Sequence, residues 1–109
     1  MLKVGEQKNR YWISIIKTTR INSLVAEGLR DQLSVLVSQK KKEVILSLKG
    51  IKFIDNAGFD AILSVVKTAR EYNCSFRICD VSQEVYELFG LMKLNVVFEI
   101  HPEKVEVLS

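Results

Sequence analysis

The sequence predicts a single α/β domain. Its sheet is mixed, opening with a hairpin and continuing with mainly parallel strands, and it is packed with about four α-helices. Three observations predict this. Strand-like and helix-like segments alternate in the order β-β-α-β-α-β-α-β, and strands separated by helices pair in parallel through right-handed crossovers. The run Val44-Ile45-Leu46-Ser47-Leu48 is apolar almost throughout, as in a strand covered on both faces. Finally, 109 residues with 48% apolar and 27% charged composition supply one core without staples. The whole chain, residues 1–109, reads as one domain.

Leu2–Glu6 and Tyr11–Lys17 are strand-like, and Gln7, Lys8, Asn9 and Arg10 between them suit a four-residue hairpin loop. The second strand is rich in aromatic and β-branched residues, and its Trp12 is expected to pack against a helix. Asn22 and Ser23 are both suitable N-caps for a helix running to about Lys40. Val25, Leu29, Leu33, Leu36 and Val37 fall on one stripe of it. Gly28 interrupts this helix, and close packing against the sheet is the expected reason. Lys40-Lys41-Lys42 sits at the helix end, where cations suit the dipole.

After the central strand, Gly50 breaks the pattern. Ile51, Phe53 and Ile54 lead to a polar turn, Asp55-Asn56-Ala57-Gly58. A second helix runs from about Ala57 to Tyr72, with Phe59, Ile62, Leu63, Val66 and Ala69 on its buried stripe. Asp55 or Asn56 caps it, and Asn73 ends it in a left-handed turn. Ser75–Cys79 is the next strand. Ser82 caps a third helix containing Val85, Leu88 and Phe89, with Gly90 as its terminator. Leu91–Leu94 is a linking turn, and Val96–Ile100 is the last clear strand. From Pro102 two readings stand: a short helix begun by the proline, or an edge strand containing Val105 and Val107.

Several function classes are disfavoured. The net charge of +3 is small and scattered, so nucleic acid is not an expected partner. The longest apolar runs, about five residues, fall far short of the ~20 needed to span a bilayer. The N-terminus lacks a signal-peptide core, so no membrane insertion is expected and a cytoplasmic location is. Cys74 and Cys79 would lie about 16 Å apart along an extended strand. A disulfide needs Cα atoms within roughly 7 Å, so two free thiols are expected. His101 is the one histidine, and no catalytic set forms around it at recognisable spacing. Asp55 and Asp60 are too few carboxylates for a metal site. No enzyme activity and no cofactor are expected.

The stretch Phe53-Ile54-Asp55-Asn56-Ala57-Gly58 resembles the signature loop of the STAS domain, the fold of bacterial anti-anti-sigma factors (anti-sigma factor antagonists). Matching elements on both sides extend the resemblance over nearly the whole chain. They include Asp80-Val81-Ser82, its helix, and Gly90-Leu91. In that family the loop usually reads Asp-Ser-Ser/Thr-Gly, and the hydroxyl before the glycine is the phosphorylation switch. Here that position is Ala57, which cannot accept phosphate, and Asn56 cannot either. A second departure is Asn22, where many members carry aspartate.

The resemblance implies a signalling and transcription-regulating module. It would bind an anti-sigma factor with a kinase-like nucleotide-binding fold through residues 55–70. Asp55, Asn56, Ala57, Gly58 and Phe59 would form the partner-binding set. A weak homodimer is compatible with it. Gly58 is expected to let a partner's backbone come close. A second reading is an accessory subunit of a lipid-transport ABC ATPase. Some STAS proteins in that role carry Asp-Thr-Ala-Gly, which differs from Asp55-Asn56-Ala57-Gly58 only at its second residue.

Overall fold

A computed structural model describes residues 2–39 and 42–91. In chain order the elements are β1 (Leu2–Gln7), β2 (Arg10–Ile15), β3 (Arg20–Ile21), α1 (Ser23–Val37), β4 (Glu43–Ser47), β5 (Phe53–Ile54), α2 (Asn56–Glu71), β6 (Ser75–Cys79) and α3 (Gln83–Leu91). The main sheet has the order β1-β2-β4-β6. β1 runs antiparallel to β2, whereas β2–β4 and β4–β6 are parallel. The predicted mixed sheet is therefore present. Three helices lie among the described residues. The expected strand Val96–Ile100, the tail from Pro102, His101, Lys40 and Lys41 lie outside them.

β4 is central because it can be. Val44, Ile45, Leu46 and Ser47 are all buried, and it alone among the described strands has parallel partners on both sides. Side chains alternate across a strand. Ile13, Leu46 and Ile78 stand in register and join Leu29, Leu33, Ile62, Val66, Val85 and Phe89 in one core. All three described helices thus feed the same face of the sheet. Trp12 is in register with Ile45 and Arg77 on the opposite face, so it does not pack against α1, α2 or α3.

The structure differs from the sequence expectation at several points. Gln7 pairs with Arg10, so the hairpin loop holds only Lys8 and Asn9. Lys8 takes the left-handed conformation, φ 55°, that tight hairpins demand. α1 ends at Val37 with Ser38 as its cap. Lys42 therefore lies beyond the helix, reaching Glu6 at 3.4 Å and the Tyr11 ring at 5.0 Å. Gly28 is exposed, and a Cβ there would meet no atom within 4 Å, so close packing does not explain it. Gly90 is the last but one residue of α3 as described. Of the expected stripe, α2 buries Phe59, Ile62, Val66 and Ala69 and leaves Leu63 half-buried; it buries Ala61 and Val65 as well, because it packs on α1 and on the sheet together. Asn73 does turn left-handed, φ 54°, just past α2.

β3 and β5 form a separate two-stranded parallel sheet, Arg20 opposite Phe53 and Ile21 opposite Ile54. It lies at the ends of the segments that enter α1 and α2. Its consequence is to bring those two helix N-termini together.

Candidate functional site

The polar turn starts at Asp55, the N-cap of α2, in an extended conformation with φ −93° and ψ −176°. Its Oδ1 accepts the Gly58 N–H at 2.9 Å. Its carbonyl accepts the Phe59 N–H at 2.9 Å, and its own N–H donates to the Ile21 carbonyl at 3.1 Å. One short side chain and one peptide unit thereby satisfy amides that a helix start otherwise leaves free. Of the two caps open in the sequence, the structure uses Asp55. Asn56 becomes the first helical residue and is exposed.

α1 starts in the same way. Asn22 Oδ1 accepts the Leu24 N–H at 3.0 Å, and its carbonyl accepts the Val25 and Ala26 amides at 3.0 and 2.9 Å. Asn22 follows Ile21, the residue whose carbonyl holds Asp55. The two caps are tied through one peptide.

Gly58 makes the junction possible. A Cβ there would overlap the Ile21 carbonyl oxygen. It would also lie 2.7 Å from Ile54 Cγ2 and 2.9 Å from Ile21 Cγ2. The approach that the sequence assigned to a partner's backbone is made by the chain itself. Phe59 is likewise internal, 3% exposed, with its ring edge-to-face on Phe89 at 5.0 Å. Of the five residues read from the sequence, Asn56 is exposed, Asp55 and Ala57 are half-buried, and Gly58 and Phe59 are core.

Around Ala57 the surface has relief. Ser23, Ala26, Glu27 and Arg30 of α1 face Ala57, Asp60 and Ala61 of α2 across a groove of about 270 Å³. Arg30 turns its guanidinium to Asp31, 3.3 Å away. Beyond the turn, Phe53 is 40% exposed and carries the Arg20 guanidinium 5.5 Å above its ring. Reading the sequence missed this α1 half of the site. A two-residue strand has no periodicity to betray it, and the one available signal was the cap at Asn22.

A second depression, of about 630 Å³, lies over the C-terminal ends of β2, β4 and β6. Ser47 Oγ donates there to Asp80 Oδ2 at 2.7 Å and accepts the Lys49 N–H at 3.3 Å. Asp80 sits in the left-handed region, φ 56°.

Among the described residues no three His, Cys, Asp or Glu side chains come together in a way that could hold a metal. Both cysteines are free and buried. Burial, and secondarily the Glu43 carboxylate, push the Cys74 thiol pKa up. No described helix is long and apolar enough to cross a membrane.

Comparison with known proteins gives a consistent picture. The family model for the STAS domain matches residues 16–107. An anti-sigma F factor antagonist of Paenibacillus polymyxa is 22% identical over 109 residues, covering 99% of this chain and 93% of its own. An anti-sigma factor antagonist of Bordetella bronchiseptica is 28% identical over 80 residues, 73% of this chain and 69% of its own. The solved structure of an anti-sigma-factor antagonist (STAS) domain protein from Planctomyces limnophilus superposes with a TM-score of 0.85 at 16% identity. That match covers 96% of this chain and 92% of that one.

Proposed function

The chain belongs to the STAS domain family, and we propose that it is a non-catalytic interaction module of the anti-sigma factor antagonist type. On this reading it binds an anti-sigma factor with a kinase-like nucleotide-binding fold through the turn and helix around residues 55–70. Ala57 stands where the family's phosphoacceptor would be. The observation that carries the reading is the first turn of α2. Asn56 is exposed there, Ala57 is half-buried beside a groove, and neither side chain has a hydroxyl.

A helix N-terminus concentrates a positive potential of about half a charge. A phosphoserine placed in it would gain hydrogen bonds and add about two negative charges, changing what the surface binds. Alanine removes that choice. Such a module stays in its unmodified, binding-competent state and answers only to partner concentration. An anti-sigma factor works in the cytoplasm, and on this reading so does the chain. Relatives named as antagonists of anti-sigma factors support the partner class.

Isothermal titration against the anti-sigma factors encoded in the same genome tests this. A complex is expected with one of them. After incubation with that factor and ATP, mass spectrometry should find no phosphate on residues 55–59. If none of them binds, the reading is lost. Co-purification with the ATPase and membrane subunits of a lipid transporter would instead favour the second role, which the Asp55-Asn56-Ala57-Gly58 sequence keeps in view.

A further inference from the structure

We infer that two loops paired at one end of the sheet form a basic patch that meets an anionic phospholipid surface. The patch carries Lys17, Arg20, Lys49 and Lys52, with Ile16 and Phe53 among them. It does not depend on the anti-sigma factor reading above.

Backbone pairing brings these residues together. β2 and β4 pair in parallel up to Ser14 and Ser47. β3 and β5 pair in parallel from Arg20 and Phe53. At both places the residue numbers differ by 33, being 14 and 47, then 20 and 53. The segments in between are therefore equally long and run side by side. They also bend in step. Lys17 and Gly50, again 33 apart, both take left-handed backbone, φ 67° and 85°. Beyond the bend the Lys52 N–H donates to the Thr19 carbonyl at 2.8 Å, which ties the two segments.

The charge on this paired bend has one sign. Lys17, Arg20, Lys49 and Lys52 are all exposed. None of them is in an ion pair among the described residues, and residues 15–21 and 48–54 contain no Asp or Glu. Asp80 is the one carboxylate lining the depression beside Lys49, and its Oδ2 is held by Ser47 Oγ at 2.7 Å. Four unopposed cations exceed the net charge of the whole chain, +3. A charge that is scattered along the sequence is gathered by the fold.

What accompanies the cations selects the occupant. Ile16 and Phe53 are 38% and 40% exposed, and the Arg20 guanidinium lies 5.5 Å above the Phe53 ring. Cations interleaved with exposed apolar side chains suit an anionic leaflet. The cations meet the headgroups, and the apolar groups enter the boundary below them. Protein interfaces favour arginine and deplete lysine, whereas three of these four cations are lysine. Each cation near an anionic leaflet strengthens binding by about fivefold. Four of them give a reversible contact that salt weakens.

The test mixes the full chain with vesicles of phosphatidylcholine alone, and with vesicles of equal parts phosphatidylcholine and phosphatidylglycerol. Sedimentation reads the bound fraction. Binding is expected to the mixed vesicles only, falling as salt is raised. Lys49→Gln with Lys52→Gln should weaken it by about 25-fold, fivefold for each charge. Ile16→Ser should weaken it too. Lys8→Gln with Lys67→Gln is the control. Both residues are exposed and outside the patch, and the pair changes net charge equally, so binding should stay within about twofold. All variants should melt like the wild type, since exposed changes cost little. Equal losses from the two lysine pairs would overturn the inference, because net charge and not the patch would then bind. Binding to both kinds of vesicle, or to neither, would overturn it as well. Suppose the mixed vesicles are ignored while Lys49→Gln with Lys52→Gln weakens a complex with an anti-sigma factor. The patch then belongs to that protein, and the lipid assignment fails while the anti-sigma factor reading stands. Equal affinity per phosphate for a DNA duplex would make the patch a general polyanion site, and the lipid assignment would fail again.

Discussion

Ile21 and Gly58 interlock: the space that a Cβ on Gly58 would take is occupied by the carbonyl oxygen and the Cγ2 methyl of Ile21. The same oxygen accepts the Asp55 N–H. A side chain at position 58 must displace backbone rather than the end of a flexible side chain. Gly58→Ala is expected to destabilise the fold by about 1–3 kcal/mol, the range for overpacking a well-filled site. Chemical denaturation measures it. A variant as stable as the wild type would mean that the β3–β5 pair shifts at little cost. It follows that Gly58→Glu reports on folding before it reports on docking, and Asn56→Arg is the cleaner probe of the surface.

Gly28 is the opposite case. It is interior to α1 and exposed, and its missing side chain would touch nothing within 4 Å. Gly28→Ala narrows the unfolded ensemble and restores helix propensity. A gain of about 0.4–1 kcal/mol is expected, read as a higher denaturation midpoint with unchanged slope. A loss would indicate that α1 needs the glycine for a contact outside the described residues.

Together these glycines show what was legible in the sequence and what was not. Long periodic segments were: the α1 stripe, the buried run of β4, and the strand Ser75–Cys79 all appear within a few residues of expectation. Two-residue strands were not, because Arg20–Ile21 carries no pattern of its own. Missing β3 hid the tie between the caps and with it the real neighbour of Gly58. A glycine at a turn reads the same in sequence whether its open side faces a partner or the chain's own backbone. Gly28 was misread for a related reason: exposure is a property of the fold, and one residue type does not report it. The site was therefore half visible: capping chemistry narrowed the α2 cap to Asp55 or Asn56, of which the structure uses Asp55, while the α1 rim was invisible.

Cys74 makes stability pH-dependent at the alkaline end. Burial chiefly, then the Glu43 carboxylate, raise its thiol pKa in the folded state. The unfolded thiol ionises first, so above the ordinary thiol range the folded state holds more protons than the unfolded one. Stability then falls as pH rises. At neutral pH both states carry the neutral thiol and the effect is absent. Comparing wild type with Cys74→Ala by urea denaturation from neutral to alkaline pH isolates it. The wild type should lose stability faster than the variant; parallel curves would mean that the thiol titrates alike in both states.

Ala57→Ser tests the meaning of the missing hydroxyl. Position 57 is the second residue of α2, half-buried at the groove rim. Serine is small enough to fit, and its lower helix propensity costs at most about 0.5 kcal/mol. The new hydroxyl stands in the first helical turn, where free amides and the dipole favour an anion. With the cognate anti-sigma factor and ATP, Ala57→Ser is expected to gain a single phosphate and then to lose affinity for that factor. A phosphatase should restore it. The wild type should show neither change, because the nearest native hydroxyl on α2, Ser64, lies two turns further along the helix. Phosphate appearing on native Ser64 or Ser23, with a matching loss of binding, would mean that the chain keeps a switch in a different place. Failure of Ala57→Ser to accept phosphate from a factor that binds it would mean that the partner is not acting as a kinase here. Binding and phosphate transfer are then separate properties of the surface, and the alanine would have no bearing on whether the module is locked.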